Sequence, residues 1–157
     1  MRILLAVDGS PCSDAAIEEI ARRPWPNGSE IKVLIAYELP LPPTPEAWAI
    51  PPNYFEEIDR AASDQARSVL ERAVTRLKST MGSEANIKGA FAQGPPRSVI
   101  LDEAERWGAD LVVVGSHGYG AWQRFLLGSV SQSVVSHAKC SVEVVRCQKG
   151  HEPLPKA

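Results

Sequence analysis

The chain has 157 residues, of which 44% are hydrophobic and 23% charged, and its formal net charge is −2. This length and balance suit one globular domain with a substantial core. A charge so near neutrality points away from a nucleic-acid surface or an anionic membrane as partner.

The N-terminal apolar run "MRILLAV" stops at Asp8, too early for the apolar region of a signal peptide. No segment is apolar for the roughly 18 residues that a transmembrane helix needs. A cytoplasmic location is therefore expected. Cys12, Cys140 and Cys147 are odd in number and fit no zinc spacing, so they read as reduced thiols. Cys12 falls in the first turn of a helix, where the dipole acts on a thiol. A structural role is nevertheless the favoured reading for it, with Cys140 and Cys147 as small core residues.

In chain order, residues 2–7 ("RILLAV") form a short apolar run that reads as a buried strand. Ser10-Pro11 has the pattern of an N-cap followed by proline at the first helical position, opening a helix that runs to about Arg23. "PWPNGS" is a turn, and its Asn27-Gly28-Ser29 sequon reads as part of that turn. Residues 31–37 ("IKVLIAY") are rich in β-branched residues and predict a second strand.

Residues 40–52 hold Pro40, Pro42, Pro43, Pro45, Pro51 and Pro52, and so predict a stiff, extended loop. With Trp48, Tyr54 and Phe55 it suggests a lid, a dimer contact or a docking site; a plain surface connection is favoured. From Tyr54 to Ser79, Ile58, Ala62, Ala66, Val69, Leu70, Ala73 and Leu77 recur at helical spacing. Residues 86–94 predict a third strand. "PPRSVILDEAERWG" predicts a helix with proline in its first turn and Gly108 at its end.

"ADLVVVG" is apolar throughout 111–114, as expected of a strand covered on both faces. A helix over 128–138 and a strand over 141–146 complete the pattern. Residues 148–157 read as a disordered tail on a domain spanning 1–147. Strict alternation of strands and helices predicts an α/β fold, one parallel sheet with helices on both faces. Ligands of such sheets sit at the carboxyl ends of strands, where the winding reverses.

The stretch "GSHGYGAWQRFLLGSVS" follows the fourth strand and carries Gly115, Gly118, Gly120 and Gly128, then Ser129. Such a loop needs either unusual dihedrals or room for a close approach. Gly115 and Gly118 leave no Cβ in the way of a ligand. Gly128-Ser129 opens a helix whose first N–H groups lack internal partners and whose dipole favours an anion. Asp8, at the end of the first strand, faces the same crevice if both ends flank the reversal point. Its alternative role is a helix cap. Arg124 suits a phosphate or water equally. His117 reads as a loop residue rather than a base. Neither a Walker A loop nor a dinucleotide fingerprint after the first strand is present.

The spacing G-x2-G-x9-G-[ST] at Gly115, Gly118, Gly128 and Ser129 resembles the nucleotide pattern of the universal stress proteins. "ILLAVDGS" looks like that family's first strand, and "SVSQSVVSHAKCSVEVVR" is similar to its last helix and strand. The resemblance implies a Rossmann-like, adenine nucleotide alpha hydrolase-like domain with strand order 3-2-1-4-5 that binds ATP. By that resemblance Gly115 and Gly118 line the ribose and phosphates, and Gly128, Ser129 and the Val130 amide hold phosphates. Asp8 lies near the ribose or a Mg²⁺ or Mn²⁺ ion on the phosphates. The backbone of Ala36 and Tyr37 meets adenine, although Tyr37 stands where a small apolar residue is usual. Ser141 likewise replaces a common proline.

The family resemblance further implies a homodimer paired through the last strand, "VEVVR" being an apolar edge that needs cover. The expected function is a nucleotide-dependent stress-response or signalling protein. At most slow ATP hydrolysis is expected, because no positioned general base is evident. Two other readings share the topology: a nucleotide-independent dimeric interaction module and a flavodoxin-like electron carrier.

Overall fold

The computed structural model describes residues 1–39, 52–118 and 127–147. The proline-rich loop with Trp48, the loop residues Gly120 and Arg124, and the tail expected over 148–157 lie outside the described residues.

The elements are β1 (Arg2–Ala6), α1 (Pro11–Arg22), β2 (Glu30–Tyr37), α2 (Pro52–Met81), β3 (Asn86–Gln93), α3 (Pro96–Trp107), β4 (Leu111–Gly115), α4 (Ser129–His137) and β5 (Ser141–Val145). All the strands pair in parallel, in the order β3-β2-β1-β4-β5. That is the expected fold, with boundaries within about two residues of the sequence reading.

Strand parity divides the core into two layers. Ile3, Leu5, Ile31, Val33, Ile35 and Val113 meet Ala16, Ile17 and Ile20 of α1 and Ala66, Val69, Leu70, Ala73 and Leu77 of α2. The intervening positions Leu4, Leu34, Val112 and Val114 meet Ile100 and Ala104 of α3 and Val134 of α4. Period-2 alternation in the strands and 3.6-residue spacing in the helices require this arrangement. β1 and β4 are central and covered on both faces, so Ile3, Leu4, Leu5, Val112 and Val113 are fully buried as unbroken apolar runs. Burying each such side chain contributes about 1.5–3 kcal/mol.

Local signals set the helix ends. Ser10 caps α1, its side chain accepting a hydrogen bond from the Ser13 N–H, with Pro11 in the first turn. Gly108 ends α3 at φ 67 and ψ 51, the left-handed conformation that glycine adopts at least cost.

One polar cluster sits in the α3 layer. Lys32 of β2 donates to Glu103 of α3 at 2.8 Å, and its Nζ lies 4.2 Å from the Trp107 ring centroid. Arg106 also bonds to Glu103, which is only 8% exposed. Burial pushes the Glu103 carboxyl up. The hydrogen bonds from Lys32 and Arg106 outweigh this and hold it below the ordinary glutamate value.

The cysteines depart from expectation. Cys12 and Cys147, 135 residues apart in sequence, are joined in a disulfide with Cα atoms 4.5 Å apart. The reading of three reduced thiols is corrected to one pair plus Cys140, the free cysteine among the described residues. Sequence spacing carries no trace of this pairing, because the fold brings the start of α1 beside the end of β5. Cys147 is half-buried beyond the last strand rather than a core residue.

A cavity at the reversal point

The winding reverses between β1 and β4, whose neighbours β2 and β5 lie on opposite sides. A cavity of about 680 Å³ opens there, at the carboxyl ends of the strands. Its volume is within the usual range for small-molecule sites, about 300–1,000 Å³. Ala6, Leu34, Ala36 and Val114 form its sheet wall, and Pro96 and Ile100 of α3 enclose one side. Asp8, Gly115, His117 and Gly118 lie at the strand ends, and residues 127–132 bring in the start of α4.

Hydrogen bonds hold the end of β4 against the start of α4. The Ser116 N–H donates to the Val145 carbonyl at 2.7 Å, extending the β4–β5 ladder. The Gly128 N–H donates to the Ser116 carbonyl at 2.8 Å, bringing the far end of the loop back to its start. The buried Ser131 hydroxyl also reaches the Ser116 carbonyl, at 3.0 Å, and the Gly128 carbonyl, at 2.9 Å. Ser10 Oγ donates to the His117 carbonyl at 3.2 Å, and His117 Nδ1 lies 3.1 Å from Ser116 Oγ.

These bonds aim α4 at the cavity. Gly128 is its N-cap, with no side-chain cap. The first N–H groups of any helix lack partners within it, and the aligned peptide dipoles place about half a positive charge there. Ser129 and Val130, at the first two helical positions, line the cavity. The arrangement can hold an anionic group without a lysine.

The three described motif glycines answer the question posed by the loop. None has a positive φ. A Cβ on Gly115 would stand 2.7 Å from the Cys12 carbonyl carbon and 2.9 Å from the Ser13 nitrogen, so β4 touches the backbone of α1 there. A Cβ on Gly118 would stand 2.7 Å from Asp8 Oδ2. Around Gly128 the nearest atoms are at 3.4 Å, a milder constraint. Close approach, not unusual dihedrals, therefore requires glycine at 115, whereas at 118 only the end of the Asp8 side chain would have to move. At 115 the close neighbour is the protein itself.

Asp8 has a double position. Its Oδ1 accepts the Ser10 N–H at 2.9 Å, bracing the residue that caps α1. Its Oδ2 is the atom against Gly118, on the cavity side. The residues thus fit a phosphorylated ligand: an apolar wall, a helix N-terminus and one carboxylate. They also fit a Mg²⁺ ion carried on phosphates, which commonly takes one or two carboxylates and completes its shell with water. Among the described residues no cluster of three or more metal-binding side chains exists, so such an ion would depend on the phosphates.

Of the residues singled out from the sequence, Asp8, Ala36, Gly115, Gly118, Gly128, Ser129 and Val130 line this one cavity. Tyr37 does not. Its ring packs in the α2 layer, 6.4 Å from Phe91, and its carbonyl accepts the Gly94 N–H at 2.9 Å. Alternation along β2 already assigns Tyr37 to the face of Ile31, Val33 and Ile35. Ser13, Pro96, Ile100, Leu127, Ser131 and Gln132 also line the cavity and were not singled out. For Pro96 the available signal was its place at the helix start after β3.

The model of the universal stress protein family matches residues 1–146. A universal stress protein of Thermus aquaticus is 35% identical over 92% of this chain and 97% of its own length. One of Mycobacterium tuberculosis is 32% identical over 98% of this chain, which spans 49% of that relative's length. Among solved structures, a universal stress protein family protein of Arabidopsis thaliana with AMP bound has a TM-score of 0.70 at 20% identity, covering 99% of this chain and 97% of that one. A universal stress protein in complex with cAMP has a TM-score of 0.64 at 22% identity, covering 94% and 98%. At those identities the structural likeness shows the fold alone. From the match along nearly its whole described length, the chain belongs to the universal stress protein family.

Proposed function

We propose that the cavity binds an adenine nucleotide, with ATP and Mg²⁺ as the ligand pair. The observation that carries this reading is the convergence of the α4 N-terminus, Asp8 and the apolar wall at Ala6, Leu34 and Ala36 on one cavity. AMP and cAMP in two proteins of the same fold support an adenine nucleotide class. In this reading adenine lies against Ala36 and Leu34, with Ile100 opposite. The ribose and first phosphate pass Gly115 and Gly118. The remaining phosphates meet the N–H groups of Ser129 and Val130 and the Ser129 hydroxyl. Each hydrogen bond to a charged phosphate contributes about 1.5–3 kcal/mol. A phosphate-bound Mg²⁺ would take Asp8 Oδ2 as its protein ligand.

Tyr37 has at most a backbone role here, since its ring lies on the other layer. Hydrolysis is at most slow. Asp8 is engaged by Ser10, and His117 Nδ1 lies against Ser116. Both side chains are thus already engaged within the protein, which suits a binding rather than a proton-transfer role. The physiological unit is a cytoplasmic homodimer paired through residues 141–146, acting in nucleotide-dependent stress response or signalling. β5 is an edge strand whose residues after Ser141 are half-buried, which suits such a pairing.

Calorimetry with ATP and Mg²⁺ tests the reading. Wild-type protein binds, and Gly118→Val, whose side chain drives into Asp8 and the ligand space, loses at least tenfold in affinity. Equal affinity of the two, or no binding by either, overturns it.

A further inference from the structure

We propose that the Cys12–Cys147 disulfide is a reversible redox control on the cavity, the oxidised form binding nucleotide more tightly than the reduced one. The inference rests on the nucleotide reading above. Its basis is where the pair sits. Cys12 is the second residue of α1, and its main chain is the surface that Gly115 touches. Cys147 follows β5, whose Val145 carbonyl receives the Ser116 N–H at 2.7 Å. The disulfide therefore ties together the two elements that grip residues 115–117 from either side. Ser116 Oγ, itself buried, lies 3.6 Å from Cys12 Sγ with its hydroxyl directed at the sulfur. No other covalent link joins α1 to β5 among the described residues.

The two sulfurs differ in access, which gives the exchange a direction. Cys12 is 4% exposed, whereas Cys147 is half-buried at the end of the sheet. A small-molecule thiolate attacks Cys147 Sγ, the S–S bond breaks, and Cys12 leaves as a thiolate that takes up a proton. The departing sulfur is received at a helix N-terminus beside the Ser116 hydroxyl, which suits a negative charge. A second thiol then attacks the mixed disulfide on Cys147, releasing the Cys147 thiol and a small-molecule disulfide. Two thiols are oxidised for the one protein disulfide reduced. A low-molecular-weight disulfide reverses both steps. Burial pushes the Cys140 thiol up, away from the reactive thiolate form.

Reduction removes the covalent tie between α1 and β5, leaving the paired Arg23–Glu143 hydrogen bonds and packing contacts to hold the two elements and residues 115–118. The bound geometry is then less preorganised, and the nucleotide must order it on binding. Coupling between two sites of this kind commonly amounts to a factor of about 5–150. The coupling is reciprocal, so saturating nucleotide protects the disulfide from reduction by the same factor.

The test measures ATP–Mg²⁺ affinity by calorimetry on protein equilibrated with oxidised glutathione and on protein reduced with dithiothreitol. Alkylation in denaturant counts the free thiols in each. The expected result is one free thiol and at least about fivefold tighter binding in the oxidised form. Cys147→Ser should bind like reduced wild type under both treatments, and Cys140→Ser should retain the redox response. Three free thiols after the oxidant overturn the proposal. So do equal affinities in the two forms, or a redox response that survives Cys147→Ser. Failure of both forms to bind ATP refutes the nucleotide reading itself, and this proposal with it.

Discussion

Gly115→Ala separates the architectural demand for glycine from the ligand's demand. The added Cβ would lie 2.7 Å from the Cys12 carbonyl carbon, 2.9 Å from its oxygen and 2.9 Å from the Ser13 nitrogen. All three are backbone atoms of the first turn of α1, so no side chain can rotate aside. Overpacking of this kind costs about 1–3 kcal/mol, and contact with backbone belongs in the upper part of that range. Replacing glycine also stiffens the unfolded chain, which returns about 0.4–1 kcal/mol. The net expectation is a loss of about 2 kcal/mol, which for a chain of this size lowers Tm by about 4–8 °C. Urea unfolding followed by circular dichroism, with a thermal scan alongside, measures it. A change within about 0.5 kcal/mol, typical of an unconstrained surface position, would refute the claim that β4 and α1 are in backbone contact at this point.

The other expectations follow from the same geometry. Gly118→Ala meets only Asp8 Oδ2, the end of an exposed side chain, so its stability cost stays near the about 1 kcal/mol of one hydrogen bond; ATP affinity measured by calorimetry falls instead. Ser131→Ala removes the hydroxyl that reaches both the Ser116 and Gly128 carbonyls, and should cost about 1 kcal/mol in a urea melt while weakening nucleotide binding. Lys32→Met leaves Glu103 with Arg106 alone, a loss of about 1.5–3 kcal/mol by the same measurement. The Glu103 carboxyl is held low in the folded state, so its contribution is fully present above the unfolded value, about 4.3, and is lost as pH falls through the folded value. Stability should therefore drop on the acid side of that value, and Glu103→Gln should flatten that part of the profile. An unchanged acid limb in Glu103→Gln would contradict the sign.

The element order and helix ends were legible because local chemistry sets them. Ser10-Pro11 caps α1, Gly108 stops α3, and the apolar runs of β1 and β4 mark strands covered on both faces. The glycine spacing pointed to this cavity because Gly128 and Ser129 mark where α4 begins. Contacts made only by the assembled chain were not legible. Gly115 lines the cavity, but that its Cβ position is occupied by the backbone of α1 could not be read from the sequence. Cys12 and Cys147 meet across 135 residues, and Lys32 and Glu103 across 71. No local pattern signals either pair. Tyr37 is a different case. The parity of "IKVLIAY" already sets its ring on the face opposite Ala36, away from the cavity.

The central claim is that one cavity holds both ends of an adenine nucleotide. Backbone amide NMR during titration with ATP and Mg²⁺ tests it most directly. The account predicts saturable shifts at Ala36 on the base side and at Gly118, Ser129 and Val130 on the phosphate side, moving together with one affinity. Absence of shifts would contradict it. So would shifts confined to another surface, such as the smaller hollow lined by Arg72 and Arg76.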